Sequence, residues 1–181
     1  MDQPCDRGGA TGPAQPDDAV VADIPAPGYR VARPARQALP LVAAAPHAGR
    51  FYPPAFVEAS RLDLDALRRS EDAWVDRILA FAPDLGVPLL TALFPRAFLD
   101  VNRAADELDP LLFREPLPDT ADSTSRRVKA GLGAVPRVVA SGAAIYDHRL
   151  TLSEGEARIR HLYHPYHAAL GELVAATRQG F

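Results

Sequence analysis

His47 lies in Pro46-His47-Ala48-Gly49-Arg50, followed by Tyr52-Pro53. An imidazole can ligate a metal or carry a proton near neutral pH. It comes directly after a short apolar run, 41–45, and α/β sheets bind ligands at the carboxyl ends of their strands. A loop histidine without a role fits the same spacing. Ser70-Glu71-Asp72 offers two carboxylates. At a helix start such groups cap amides and favour the positive helix end; alternatively, one of them pairs with His47 on a metal. One histidine and one carboxylate form half of a catalytic zinc site, which uses three protein ligands and an open position.

A second constellation could hold anions. Pro95-Arg96 precedes Asp100-Val101-Asn102-Arg103. The Arg103 fork matches a carboxylate, Asn102 adds a neutral donor, and Arg96 is a second clamp. The alternative is a set of surface arginines paired with nearby acids. A third group, His161, His164 and His167, has i, i+3, i+6 spacing interrupted by Pro165. It is not the spacing of a helical His-Glu-x-x-His zinc site. Core packing and polar capping compete with function there.

These residues need elements to position them. Residues 41–45 and 88–94 read as buried strands, and 97–101 as a third. Ser70 reads as the N-cap of a helix whose apolar positions Val75, Ile78, Leu79 and Ala82 end at Pro83. Residues 119–125 read as a polar loop and Gly131-Leu132-Gly133 as a turn. Residues 138–140 and 144–146 are strand-like. Ser153 and Glu156 fit a capping box opening a helix, which Pro165 should kink or break. Strands alternating with helices imply an α/β domain with a mixed, largely parallel sheet flanked by helices.

Composition narrows the function classes. The chain has 181 residues, a formal net charge of -3 and 48% hydrophobic residues, which is a globular profile. Mild acidity argues against a dedicated nucleic-acid binder. No apolar run is long enough to span a membrane, and no secretory pattern opens the chain. Nucleic-acid and membrane partners are therefore not expected, and the cytoplasm is the expected location. A single cysteine, Cys5, builds no disulfide framework. Only Lys129 among the 20 basic residues is lysine, so nearly every cation is a planar, bidentate guanidinium. Residues 1–28, rich in Pro, Gly, Ala and Asp, read as a disordered tail, leaving 29–181 as the folded domain.

The motifs together resemble the N-formylglutamate amidohydrolases. Those carrying the resemblance are Pro46-His47-x-Gly49-Arg50-x-Tyr52-Pro53, Ser70-Glu71-Asp72-x-x-Val75-Asp76, Pro95-Arg96-x-x-x-Asp100-x-Asn102-Arg103, Gly131-Leu132-Gly133, Ile145-Tyr146 and Arg158-x-x-x-x-Tyr163-x-Pro165-Tyr166-His167. The resemblance implies a zinc-carboxypeptidase-like fold related to aspartoacylases. It implies hydrolysis of N-formyl-L-glutamate, or a similar N-acyl amino acid, to formate and glutamate, a step of histidine degradation. It implies Zn²⁺ held by His47 and by Asp72, with Glu71 as the competing carboxylate. It also implies a small anionic substrate bound by Arg96, Asn102, Arg103 and Arg50. Ala48 departs from the serine usual in this family, removing a hydroxyl beside the ligand. The family's third ligand and general base are expected beyond Phe181, so the domain is expected to be truncated and inactive alone. A catalytically inactive remnant, or an arginine-based binding module for an acidic ligand, is the alternative.

Overall fold

The computed structural model describes residues 16–181. It shows an α/β molecule with a small mixed sheet flanked by helices. The strands are β1 (Tyr29–Ala32), β2 (Ala43–Ala45) and β3 (Leu89–Ala92). Their order is β1-β3-β2. β1 runs antiparallel to β3, with Tyr29 opposite Ala92, and β2 runs parallel to it, with Ala45 beside Thr91. The sheet is thus mixed, but not largely parallel. The β2–β3 connection carries α1 (Pro54–Glu58), α2 (Leu64–Arg68) and α3 (Val75–Ile78). A parallel pair requires such a crossover.

Central β3 is the most buried strand, with Leu89, Leu90 and Ala92 shielded. The chain then runs through Phe94, Ala97, Phe98 and Leu99, all buried. This second apolar run is a turn and not the expected strand 97–101: the Phe98 and Leu99 amides both donate to the Pro95 carbonyl. Proline sets the turn, and the phenylalanines bury themselves without sheet pairing. The 138–140 and 144–146 pieces contribute only isolated bridges, Val138 with Ala144 and Tyr146 with Ser60.

Two helix starts differ from expectation. Ser70 caps nothing; its hydroxyl accepts from the Ala140 amide. α3 begins instead after Trp74, whose φ of 67° is left-handed. That conformation is costly for a bulky residue; Trp74 is flanked by the guanidiniums of Arg50 and Arg77. The capping box lies two residues earlier than expected. Thr151 accepts from the Glu154 amide, and Glu154 accepts from the Thr151 amide, opening α5 (Leu152–Arg158).

α5 passes into a π-helical segment (Ile159–Tyr163) and then α6 (His164–Gly180). Pro165 explains the junction. It has no amide to donate and sits at the start of α6, where that loss is tolerated; the wider π turn accommodates the break. A short helix, α4 (Arg126–Lys129), is capped by Ser125.

Of the expected tail, residues 1–15 lie outside the described residues. The rest, 16–28, is packed and not loose. Pro16–Val21 forms a 3-10 helix against α5. Ile24 is buried, and Val20 and Val21 lie on the core. Three apolar anchors in a Pro/Ala/Asp stretch were sufficient. Asp18 also receives bonds from Arg160 and His161.

Thr151→Ala should destabilise the protein by about 1 kcal/mol in urea unfolding, and Thr151→Ser should restore most of it. An unchanged midpoint for Thr151→Ala would show that the cap does not hold α5.

Candidate functional site

β2 and β3 end side by side, so the segments leaving their carboxyl ends meet. His47 lies two residues beyond β2, and Asp100 in the turn beyond β3. Gly49 permits this approach, because any Cβ there would overlap the Phe94 carbonyl. His47 is nearly enclosed, with 5% exposure. Its Nε2 lies 2.8 Å from Asp100 Oδ1 and its Nδ1 3.2 Å from Asp72 Oδ2. The Asp72 amide also donates to the His47 carbonyl, at 3.0 Å.

Asp100 is the hub. Besides His47, its Oδ1 accepts from the Asn102 amide at 2.9 Å. Its Oδ2 accepts from Arg96 Nε at 3.1 Å, and Arg103 Nε stands 3.7 Å away. Burial alone would push this carboxyl up. The bond and charge of His47, the charge of Arg96 and the Asn102 amide outweigh burial and hold it below the ordinary carboxylate range.

Of the two expected carboxylates, the structure brings Asp72 to His47 and sends Glu71 elsewhere. Glu71 Oε1 accepts from the Tyr52 hydroxyl at 2.8 Å and from Arg68 Nε at 3.2 Å. Burial, then the Glu71 bond and charge, raise the Tyr52 phenol far above its usual range. Glu71 therefore ties α2 to the 50–53 loop. Arg50 also departs from the anion cluster. Its Nη2 meets Asp76 at 2.6 Å, and it lines a separate cavity of about 320 Å³ with Phe51 and Thr91. Asn102 contributes its backbone amide, and its side chain is exposed.

The three helical histidines do not converge. His161 bonds Asp18. His167 Nε2 meets the Val101 carbonyl at 2.8 Å, and the Tyr163 hydroxyl donates to the Arg103 carbonyl at 2.8 Å. Their rings stack with centroids 4.3 Å apart. Together they brace the 101–103 segment from behind. Arg158 braces its base: buried, it donates to the Phe98 carbonyl at 3.1 Å and the Tyr146 hydroxyl at 2.9 Å, with Phe98's ring 4.0 Å beneath the guanidinium.

The donor chemistry can be tested against a metal. His47 Nδ1 and Asp72 Oδ2 are a nitrogen and an oxygen close enough to share one ion, and Asp100 on the opposite ring nitrogen orients the imidazole as carboxylates do behind metal-bound histidines. No group of three or more potential ligands occurs among the described residues. The pair fits two corners of a zinc site.

An α/β fold with a histidine–carboxylate pair and arginines at the carboxyl ends of adjacent parallel strands is the architecture of a small-ligand site. A family model for N-formylglutamate amidohydrolase matches residues 39–181, and the chain belongs to that family. An N-formylglutamate deformylase of Pseudomonas aeruginosa is 28% identical over 149 residues, 81% of this chain and 49% of the relative. The crystal structure of an N-formylglutamate amidohydrolase from Ralstonia eutropha JMP134 matches with a TM-score of 0.78 and 38% identity, over 85% of this chain and 54% of that one. The chain spans about half the length of these relatives.

Asp100→Asn should cost about 3 kcal/mol at pH 7, because donors to a buried carboxylate lose their charged partner. A depressed carboxyl pKa stabilises the fold above its unfolded value and is lost as pH falls through the folded one. The gap between wild type and Asp100→Asn should therefore narrow below about pH 4 in denaturant titrations. A gap that widens on acidification would contradict this assignment.

Proposed function

We propose that this chain carries the ligand-binding half of a metal-dependent amidohydrolase centre. Its substrate is N-formyl-L-glutamate or a similar N-acyl amino acid, and its products are formate and the amino acid. The observation that supports this reading most is His47 held between Asp100 and Asp72. Histidine degradation belongs to the same reading and rests on the family alone. No helix among the described residues is long and apolar enough to cross a membrane.

In this reading His47, through Nδ1, and Asp72 hold a zinc ion. When bound, the ion supplies Lewis-acid polarisation of the formyl carbonyl and acidifies water. The chain's own residues do the rest of the positioning. Asp100 would hold the Nε2 proton of His47, so that with an ion bound Nδ1 is free to give up its proton and face the ion together with Asp72. Arg96 and Arg103 attract the substrate carboxylates and fix the amide relative to the histidine. Overall, water adds to the formyl carbon, the C–N bond breaks, and the leaving amine takes a proton. Lacking a third ligand among the described residues, the chain should bind without efficient turnover.

Zinc titration tests the reading. His47→Ala and Asp72→Ala should abolish zinc binding, and Glu71→Gln should leave it intact. Zinc and N-formyl-L-glutamate should each tighten the other's binding, and by the same factor, since linkage makes any such coupling reciprocal. Anion binding indifferent to zinc would instead favour an arginine-based binding module. Formate release should stay at background. Turnover of about 1–10³ per second, lost in His47→Ala, would show that other residues complete the centre.

A further inference from the structure

A cavity of about 190 Å³ opens beside Asp100, the carboxylate that bonds His47 Nε2. Ser70, Arg96, Asp100, Arg127, Leu132 and Val138 are among its lining residues. Its volume equals that of roughly six waters at about 30 Å³ each, suited to a short acidic side chain and not to a nucleotide.

The charge in this cavity is not balanced among the described residues. Both Asp100 oxygens are engaged by His47, Asn102 and Arg96. Arg96 spends only Nε on Asp100, and neither of its terminal amines bonds another described residue. Arg127, on α4, forms no side-chain hydrogen bond or ion pair among the described residues. Ser70 accepts from the Ala140 amide through Oγ and has its proton left to donate. Two guanidiniums and a hydroxyl thus converge on one small space whose only carboxylate is already saturated. Outside the lining, nearby charges are already paired: Arg137 bonds Asp109 at 2.7 Å, and Glu107 accepts from Ser125 at 2.7 Å.

We infer that this cavity binds the side-chain carboxylate of an acidic acyl-amino acid, with Arg127 as a specificity-determining residue clamping it opposite Arg96 and Ser70 donating a third bond. The inference rests on the amidohydrolase reading for the identity of the acid, not for the anion pocket. A neutral amide in the same place would leave a fork of Arg127 unpaired, so the pocket selects acids.

The test is calorimetric binding to the full 181-residue chain of three probes: glutarate, N-formyl-L-glutamate and N-formyl-L-glutamine. Wild type should prefer both diacids to N-formyl-L-glutamine, which keeps the α-carboxylate but carries a neutral amide on its side chain. Arg127→Ala should weaken both acids about 10- to 100-fold, the range for a lost charge-assisted bond, and leave the amide unaffected. Arg127→Lys should recover part of the loss, since lysine keeps charge without the fork. Arg126→Ala, its neighbour outside the cavity, should change nothing. Arg127 is exposed, so its variants should keep the wild-type circular dichroism. Unaltered acid affinity in Arg127→Ala, or no anion binding by wild type, overturns the inference. Glutarate binding that depends on Arg127 while N-formyl-L-glutamate fails to bind supports the pocket and removes the N-formylglutamate reading. Zinc-linked N-formyl-L-glutamate binding that ignores Arg127→Ala keeps that reading and overturns the pocket.

Discussion

One buried carboxylate organises this end of the molecule. Asp100 is 2% exposed, and an uncompensated charge at such a position costs several kcal/mol. The fold compensates it with donors from three places: the loop after β2, the turn after β3, and the Asn102 backbone. Each donor is fixed in return. His47 commits Nε2 to Asp100 and turns Nδ1 toward Asp72. Arg96 commits Nε and keeps its outer amines. The arrangement of the candidate site follows from satisfying this one group.

The helical side of the molecule supports the same hub from behind. The π segment before α6 carries Tyr163, and the first turns of α6 carry His167. They bond the Arg103 and Val101 carbonyls on either side of Asn102. Among the described residues, Arg158 is a buried cation without a carboxylate partner; aromatic faces and neutral oxygens compensate it. Replacing such a group removes packing as well as charge. The 97–103 turn is therefore clamped at both ends by side chains outside the sheet. This explains how a non-repetitive segment can hold polar groups accurately.

Much of this was legible in the residues, and what was not has physical causes. The approach of His47 to a strand end followed from an apolar run ending in Pro46-His47-x-Gly49. That Asp72 and not Glu71 meets it was suggested by the family resemblance alone, which put Asp72 ahead of Glu71; residue type and spacing do not decide it. The two differ by one position, and the choice depends on Tyr52 and Arg68 capturing Glu71. Residues 97–101 carry a strand-like apolar pattern, yet burial by aromatic packing needs no ladder. Ser70 has the type of an N-cap, but a distant amide, Ala140, uses its oxygen. Arg127 gave no signal, because it sits among Arg126 and Lys129 in what reads as a solvated face. Only the cavity distinguishes it. Arg50 matched the motif but was drawn off by Asp76 and Trp74.

The central proposal is that Asp100 sets the tautomer of His47 and thereby presents Nδ1 to a shared ligand with Asp72. Nitrogen-15 NMR of the imidazole, with and without zinc, reads this directly. The account predicts that on adding zinc Nε2 keeps its proton while the Nδ1 resonance moves to the metal-bound range, and that Asp72→Ala removes the change. A zinc-induced shift at Nε2 with a proton on Nδ1, or no shift at His47 when zinc is bound, would contradict it.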